Sequence, residues 1–149
     1  MARPDWDNYY LQIARAASWR GTCTRLQVGA VVVDKDKRVV SLGYNGAPSG
    51  QPQCDEVGCL LVNGHCGRSL HAEPNALAAA ERSRTTGATI YIYGTSPCYP
   101  DALLILAFKI SRVVWCSAAG GIYEGTVYDP KALEFLETAG VSVEQLPAL

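Results

Sequence analysis

Residues 89–116 read TIYIYGTSPCYPDALLILAFKISRVVWC, in which a short apolar run stands on each side of a longer one. The patterns predict strands at residues 89–93 and 112–116 and a helix at residues 99–108 between them. Strands that alternate with helices along a chain are typical of a mixed sheet with helices packed on both faces. This stretch therefore predicts an α/β fold.

The flanking residues predict six further elements, which give the order α-β-β-α-β-α-β-α-β over the whole chain. These lie at about residues 5–17, 28–33, 38–44, 72–83, 130–138 and 141–143. Residues 45–68 form a long irregular segment that is rich in glycine and cysteine. Such a loop usually has a function or is held by an internal cross-link. No linker interrupts the pattern, so residues 1–149 are expected to form one domain.

The composition favours a protein that acts on a small molecule. A net charge of −1 offers no positively charged surface to a long nucleic acid, so no nucleic-acid partner is expected. No apolar run approaches the roughly 18 residues of a membrane span, and the first residues lack the apolar core of an export signal. We therefore expect a cytoplasmic protein with no membrane partner.

The predicted helix at residues 99–108 is apolar on nearly all sides. Such a helix is either buried inside its own domain or covered in part by another subunit. A chain of 149 residues has limited means of enclosing a helix completely. A homo-oligomer is therefore expected.

Three residues with metal-binding side chains stand at predicted junctions between loops and helices. His71 precedes the helix at residues 72–83, and Cys98 follows a strand and precedes the next helix. Asp101 lies three positions after Cys98 and faces the same way on that helix. Zinc accepts all three donor types, and a catalytic zinc leaves a fourth position open. The pattern predicts a catalytic zinc held by His71, Cys98 and Asp101.

Glu73 is the predicted catalytic residue. His71-Ala72-Glu73 and Pro97-Cys98 match the H-x-E…P-C-x-x-C spacing of zinc deaminases, except that Asp101 stands at the last cysteine. In that chemistry the glutamate does not bind the metal. It takes a proton from water, passes it to the ring nitrogen and protonates the departing ammonia.

Longer segments of the chain resemble the deoxycytidylate deaminase branch of the cytidine-deaminase superfamily. The similar segments are Val28-Gly29-Ala30-Val31-Val32, Gly43-Tyr44-Asn45-Gly46-Ala47-Pro48-Ser49-Gly50 and His71-Ala72-Glu73-Pro74-Asn75-Ala76. The resemblance implies a three-layer α-β-α cytidine-deaminase-like fold with a five-stranded mixed sheet. It also implies zinc-dependent hydrolytic deamination of a cytosine nucleotide, dCMP to dUMP, in a homo-oligomer that is commonly hexameric, with triphosphate regulation in some members.

The same resemblance implies roles for residues that bind the substrate. Asn45 would hold the sugar, the backbone of Ala72 would face the pyrimidine carbonyl, and Arg25 could meet a phosphate. Tyr123 could stack on the base, or it could equally be a core or subunit contact.

Asp101 leaves three accounts open, because the family has cysteine at that position. Aspartate could bind zinc in place of cysteine, since both side chains carry one negative charge and bind at similar distances. The site could instead bind metal poorly, which would leave a catalytically inactive nucleotide-binding protein. A third account is a related zinc hydrolase that acts on another amino-heterocycle or small metabolite.

A second group of zinc donors lies in and near the irregular segment. Its five members are Cys23, Cys54, Cys59, His65 and Cys66. Structural zinc needs four ligands, and relatives that use nucleotides often carry a second, structural zinc in this region. Four of the five are therefore expected to bind it, and the alternative is a set of free or paired thiols.

Overall fold

The computed structural model describes residues 2–118 and 129–149. The helices are α1 (Trp6–Ser18), α2 (Cys54–Val57), α3 (Ala72–Ala78), α4 (Tyr99–Ala107) and α5 (Pro130–Thr138). The strands are β1 (Gly29–Val33), β2 (Val39–Tyr44), β3 (Leu61–Val62), β4 (His65–Cys66), β5 (Thr89–Gly94), β6 (Arg112–Ser117) and β7 (Ser142–Gln145). Tyr123 lies outside the described residues.

Five strands form one sheet in the order β2-β1-β5-β6-β7. Strand β1 pairs antiparallel with β2 and β5, whereas β6 pairs parallel with β5 and β7. The connection from β5 through α4 to β6 is the β-α-β unit expected from residues 89–116. The predicted five-stranded mixed sheet is therefore confirmed.

Helices cover both faces of this sheet. Buried residues of α1 pack with Val31, Tyr91 and Val114 on one face. Buried residues of α3, α4 and α5 pack with Ile92 and Trp115 on the other. Strand residues alternate between the two clusters because successive side chains point to opposite faces. The three-layer α-β-α arrangement is confirmed.

Helix α3 is shorter than predicted, since it ends at Ala78 rather than near Ser83. The hydroxyl of Ser41 donates a hydrogen bond to the carbonyl of Ala76 at 2.7 Å. The N–H of Ala80 bonds to the carbonyl of Leu77, so the last turn is tight. Contacts with β2 thus override the high helix propensity of this alanine-rich segment.

The close contact between α3 and β2 also depends on a glycine. A Cβ atom at Gly43 would lie 2.4 Å from the backbone nitrogen of Ala76. Any larger residue at Gly43 would push α3 away from the sheet. This contact fixes the helix that begins directly after His71.

The irregular segment contains three short elements that the sequence did not predict. Helix α2 and the hairpin of β3 and β4 follow one another within residues 54–66. The side chain of Gln53 stabilises the start, since its Oε1 accepts hydrogen bonds from the Ala47 N–H at 2.9 Å and the Thr22 hydroxyl at 2.8 Å. Such side-chain contacts leave no periodic pattern in the sequence.

Helix α4 is only partly covered by its own chain. Ala102 and Ile105 are buried against the sheet, whereas Leu103 is 48% exposed and Leu104 38% exposed. Of the two alternatives that the sequence left open for this helix, the structure does not show complete burial within the domain, since two leucines remain accessible. Within the described ranges no helix is both long and apolar enough to cross a membrane.

An ion-pair network fastens α1 to the sheet. The carboxylate of Asp7 accepts two hydrogen bonds from the guanidinium of Arg112, both at 2.7 Å. It also accepts one from the hydroxyl of Tyr91 at 2.8 Å, and Arg112 donates a further bond to Glu144 at 2.7 Å. The hydrogen bonds from Arg112 hold the pKa of Asp7 below its usual range.

Replacing Asp7 by asparagine is expected to lower the free energy of unfolding by about 1.5–3 kcal/mol at pH 7, because charge-assisted bonds are lost. The folded-state pKa of Asp7 is depressed, so its contribution is present above the unfolded-state pKa and is lost as pH falls through the folded-state pKa. The difference from the wild type should therefore shrink below about pH 4. Urea denaturation at pH 7 and pH 3 measures it, and Asp36→Asn in an exposed turn is the control.

Candidate metal centre and active site

The three predicted zinc donors meet where two helices begin. His71 is the N-cap residue of α3, and Cys98 is the N-cap residue of α4. Neither side chain caps its own helix, so both are available to face one another. Asp101 lies in the first turn of α4 and is 3% exposed. A buried carboxylate of this kind needs strong partners.

The donor atoms lie within contact distance of each other. Asp101 Oδ2 lies 2.7 Å from His71 Nδ1 and 3.0 Å from Cys98 Sγ. Cys98 Sγ lies 3.5 Å from His71 Nδ1. The structure thus brings together the three residues that the sequence predicts as ligands.

Hydrogen bonds and burial shift the pKa values of His71 and Cys98. Hydrogen bonds with Asp101 first, and Cys98 second, raise the pKa of His71 to about 11. Burial raises the pKa of the Cys98 thiol, with the nearby carboxylate of Asp101 adding to the effect. His71 Nδ1 and Asp101 Oδ2 thus form a close ion pair at 2.7 Å.

The donor set fits a zinc ion. Zinc bonds to nitrogen, oxygen and sulfur of about 2.0–2.3 Å in a tetrahedral site place the donor atoms roughly 3.3–3.6 Å apart. The separation of 3.5 Å lies in that range, whereas those of 2.7 and 3.0 Å are shorter because Asp101 is hydrogen-bonded directly to the other two donors. A small outward movement of Asp101 from His71 would suffice to admit the metal. The described group of His71, Cys98 and Asp101 could therefore hold zinc.

Glu73 lies beside these donors without bonding to them. Its side chain is 2% exposed, and Oε1 is buried with no hydrogen-bond partner in the structure. Burial, and then the negative charge of Asp101, raise the pKa of Glu73 to about 8. A buried carboxyl group with an unpartnered oxygen is costly for stability, and such groups are typical of active sites.

These residues line a cavity of about 370 Å³. The cavity walls also contain six residues predicted from the resemblance or as donors of the second zinc group, namely Asn45, Ala72, Arg25, Cys23, His65 and Cys66. Pockets of roughly 300–1,000 Å³ are typical of sites for small ligands. The cavity is large enough for a small molecule next to Glu73.

Asn45 is held in place by two backbone groups. Its Oδ1 accepts a hydrogen bond from the Val28 N–H at 2.8 Å, and its Nδ2 donates one to the Leu26 carbonyl at 2.6 Å. Arg25 donates a hydrogen bond to the Gly64 carbonyl at 3.3 Å, which ties it to the hairpin of β3 and β4. The predicted sugar-binding amide and phosphate-binding guanidinium thus line the same cavity.

Three of the five donors in the second predicted group come together. The sulfur atoms of Cys54, Cys59 and Cys66 lie within 4.8 Å of one another. Cys23 and His65 lie outside this group, although both line the cavity together with Cys66. The residue after Cys23 contacts the group, since the hydroxyl of Thr24 lies 3.8 Å from Cys59 Sγ.

The surroundings of the Cys66 sulfur favour its negatively charged thiolate form. Burial acts to raise its pKa, but backbone N–H groups of Arg68 and Leu60 and other nearby donors outweigh burial and lower the pKa to about 7. The thiolate is the form of cysteine that binds metal. All six cysteines lie in the described part of the chain, and all carry free thiols.

Sequence reasoning missed the role of Asp129. This residue precedes Pro130 and caps α5, as its position in the sequence indicates. Its carboxylate also accepts a hydrogen bond from the Tyr99 N–H at 3.1 Å. The sequence contains no signal for this contact, because it joins the first residue of α4 to a distant helix.

Comparison with protein families gives a match over most of the chain. The model of the cytidine and deoxycytidylate deaminase zinc-binding region matches residues 4–117. These residues include all three donors of the candidate metal centre as well as Glu73.

Individual proteins and a solved structure are also similar. A deoxycytidylate deaminase of Mycobacterium phage D29 is 45% identical over 126 residues, which cover 77% of this chain and 97% of the phage protein. ComE operon protein 2 of Bacillus subtilis is 36% identical over 148 residues, which cover 98% of this chain and 74% of that protein. The dCMP deaminase of cyanophage S-TIM5, solved in complex with dCMP and dUMP, has a TM-score of 0.75 and 27% identity, covering 98% of this chain and 100% of the phage chain.

Proposed function

The chain belongs to the cytidine and deoxycytidylate deaminase family, and from that membership we propose that it hydrolyses dCMP to dUMP and ammonia with the help of zinc. One observation carries the proposal. The buried carboxyl group of Glu73, whose Oε1 has no hydrogen-bond partner, lines the same cavity as the donor group of His71, Cys98 and Asp101. A proton-transfer group and a metal centre are thus available to one bound substrate.

The similar proteins favour a nucleotide as the substrate. The S-TIM5 enzyme was solved with dCMP and dUMP, and the D29 relative bears the same enzyme name. The cavity of this chain offers Asn45 for the sugar, the backbone of Ala72 for the pyrimidine carbonyl and Arg25 for the phosphate. Tyr123 stays a prediction for base stacking, because it lies outside the described residues.

We assign the catalytic zinc to His71, Cys98 and Asp101. When bound, zinc lowers the pKa of a coordinated water from 15.7 to about 7 and so supplies a nucleophile at neutral pH. The carboxylate of Asp101 carries the same charge as the thiolate that it replaces, so the total charge of the donor set is unchanged. A harder donor also leaves the metal a stronger acceptor of electron pairs.

Glu73 moves the protons of the reaction. It takes one proton from the attacking water and delivers it to the pyrimidine ring nitrogen next to the carbon that bears the amino group. A second proton from the water reaches the amino group through Glu73, and the carbon–nitrogen bond breaks to release ammonia. A carboxyl group whose pKa is raised to about 8 can both accept and release a proton near neutral pH.

Measuring ammonia release over a panel of pyrimidines tests the proposed function. The panel contains dCMP, CMP, dCTP, deoxycytidine and cytosine, with guanine as an unrelated amino-heterocycle. We expect the highest kcat/KM for dCMP. Activity confined to free bases would favour a related zinc hydrolase, and binding of dCMP without turnover in zinc-loaded protein would favour an inactive nucleotide-binding protein.

We infer a second, structural zinc at Cys54, Cys59 and Cys66. Three thiolates leave one position to fill. Cys23 is the better candidate, because the next residue, Thr24, contacts Cys59 Sγ, whereas His65 adjoins Cys66 in strand β4, where successive side chains point to opposite faces. The ion would fasten helix α2 to the hairpin of β3 and β4, whose strands pair over two residues each. Gly64 and His65 of that hairpin line the cavity, so the structural zinc would stabilise one wall of the site.

Substituting Cys54 by serine is expected to lower the zinc content from about two to about one per chain and to lower the Tm. The physical reason is that metal binding contributes directly to the stability of the fold around it. Metal analysis together with thermal unfolding measures both effects. Cys116→Ala is the matched control, since Cys116 is buried far from the donors and should affect the Tm alone. Unchanged zinc content in Cys54→Ser would refute the second zinc.

We also propose that the chain forms a homo-oligomer in the cytoplasm. Leu103 and Leu104 leave an apolar patch on α4 that a second copy would cover. The six free thiols favour a reducing compartment.

A further inference from the structure

Helix α4 lacks a cap of its own because of the metal centre. An N-cap side chain ordinarily accepts a hydrogen bond from the first turn of its helix. The N-cap residue of α4 is Cys98, whose side chain points to His71 and Asp101 and makes no capping bond. Pro100, the second residue of α4, has no N–H, so it is the N–H of Tyr99 that needs an acceptor from elsewhere.

Asp129 supplies that acceptor. Its Oδ2 accepts a hydrogen bond from the N–H of Tyr99, the first residue of α4, at 3.1 Å. Its Oδ1 accepts a bond from the N–H of Ala132 at 3.1 Å and so caps α5. One carboxylate thus serves the N-termini of two helices.

Asp129 also holds the other side of the turn that carries Cys98. Its backbone N–H donates a hydrogen bond to the hydroxyl of Ser96 at 2.9 Å. Ser96 is 4% exposed, so water competes little for this bond. The chain between Ser96 and Tyr99 is therefore fastened to Asp129 at both ends, with Cys98 between the two attachments.

We propose that Asp129 is a positioning residue, which sets the place of the Cys98 sulfur relative to His71 and Asp101. The inference rests on the proposed function, since it concerns the metal centre assigned there. Asp129 does not touch the donors; it acts through the backbone of residues 96–99. Groups that orient metal ligands in this way typically change metal affinity or activity by about 10–100-fold when they are removed.

The role requires a carboxylate rather than an amide. Tyr99 and Ala132 each need an acceptor, and the two oxygens of Asp129 provide one for each. Asparagine has a single acceptor oxygen and an NH₂ group that only donates. Asp129→Asn can therefore keep the cap on α5 but must leave one of the two N–H groups without its partner.

Cobalt(II) titration of the zinc-free protein tests the proposal, because a thiolate bound to cobalt gives an absorption band in the near ultraviolet. The Cys98→Ser variant identifies the contribution of Cys98 to this band. The absorbance lost in that variant comes from the Cys98 thiolate, and the remaining absorbance comes from other cysteines. The variants are Asp129→Asn and Asp129→Ala. Asp5→Ala is the matched control, because Asp5 caps α1 through the Asn8 N–H at 2.8 Å and lies away from the site.

We expect both Asp129 variants to weaken cobalt binding at the Cys98 site by about 10-fold or more and to shift the Cys98 band. Asp129→Ala and Asp5→Ala should each lower the Tm by about 2–4 °C, because each loses a helix cap. Asp129→Asn should keep most of its Tm. Asp5→Ala should bind cobalt as the wild type does.

The proposal is overturned if the Asp129 variants match Asp5→Ala, with a lower Tm but an unchanged cobalt affinity and Cys98 band. The metal centre assigned in the proposed function would itself be contradicted by another result. In that case no cobalt band would depend on Cys98, either in the wild type or in the Asp129 variants.

Discussion

Glu73→Gln is expected to lower kcat for dCMP deamination by about 10²–10⁴-fold, while the zinc content stays unchanged. Glutamine has nearly the same shape as glutamate but cannot take a proton from water or deliver it to the ring. Glu73 does not belong to the group of three donors, so its replacement should leave the metal in place. Steady-state kinetics and metal analysis of the same preparation measure both effects.

The stability of the same variant adds an independent check. The carboxyl group of Glu73 is buried and has an oxygen without a partner, which costs free energy in the folded state. Glu73→Gln should therefore be at least as stable as the wild type although it is nearly inactive. Glu81→Gln, at an exposed glutamate beyond the end of α3, is the control and should keep full activity. A fully active and zinc-loaded Glu73→Gln would exclude Glu73 as the catalytic residue.

Asp101→Ala is expected to remove the catalytic zinc and nearly all activity. The zinc content should fall from about two to about one per chain, and the loss of kcat/KM should exceed the 10–100-fold that is typical of residues outside the ligand set. Removing the carboxylate also leaves His71 without its partner at 2.7 Å. Metal analysis and dCMP kinetics of the purified variant measure these losses.

The variant Asp101→Cys tests whether Asp101 binds the metal or only lies beside it. Cysteine is the residue that the zinc-deaminase spacing has at this position, so this variant should bind zinc at least as tightly as the wild type and stay within about 10-fold of its activity. Asp101→Asn keeps the size of the side chain but loses the charge, and it should resemble Asp101→Ala. Equal zinc content in all three variants would show that Asp101 does not bind the metal.

The order and type of the main elements could be predicted because each has a strong local pattern. The apolar runs at β1, β5 and β6 and the helix between β5 and β6 specify the β-α-β unit and the buried sheet. The end of α3 could not be predicted, because its contact with the hydroxyl of Ser41 on β2 leaves no local pattern in the sequence. Helix α2 and the hairpin of β3 and β4 were missed for a similar reason, since a long-range contact of Gln53 and the clustered cysteines support them.

The proximity of the candidate site residues could be predicted more readily than the contacts around them. His71, Glu73, Cys98 and Asp101 stand at junctions whose geometry follows from the order of the elements, and the structure brings them together. The second donor group was only partly predicted, because sequence spacing cannot show that Cys54, Cys59 and Cys66 meet while Cys23 and His65 stay outside. Asp129 was missed because its link to Tyr99 depends on how α4 and α5 pack together.

The most direct test of the metal centre is X-ray absorption at the zinc edge. The sample is the Cys54→Ser variant, which should hold the catalytic zinc alone. The assignment to His71, Cys98 and Asp101 predicts one sulfur at about 2.3 Å, with the remaining ligands nitrogen or oxygen at about 2.0–2.2 Å. Two or more sulfur ligands, or none, would contradict it.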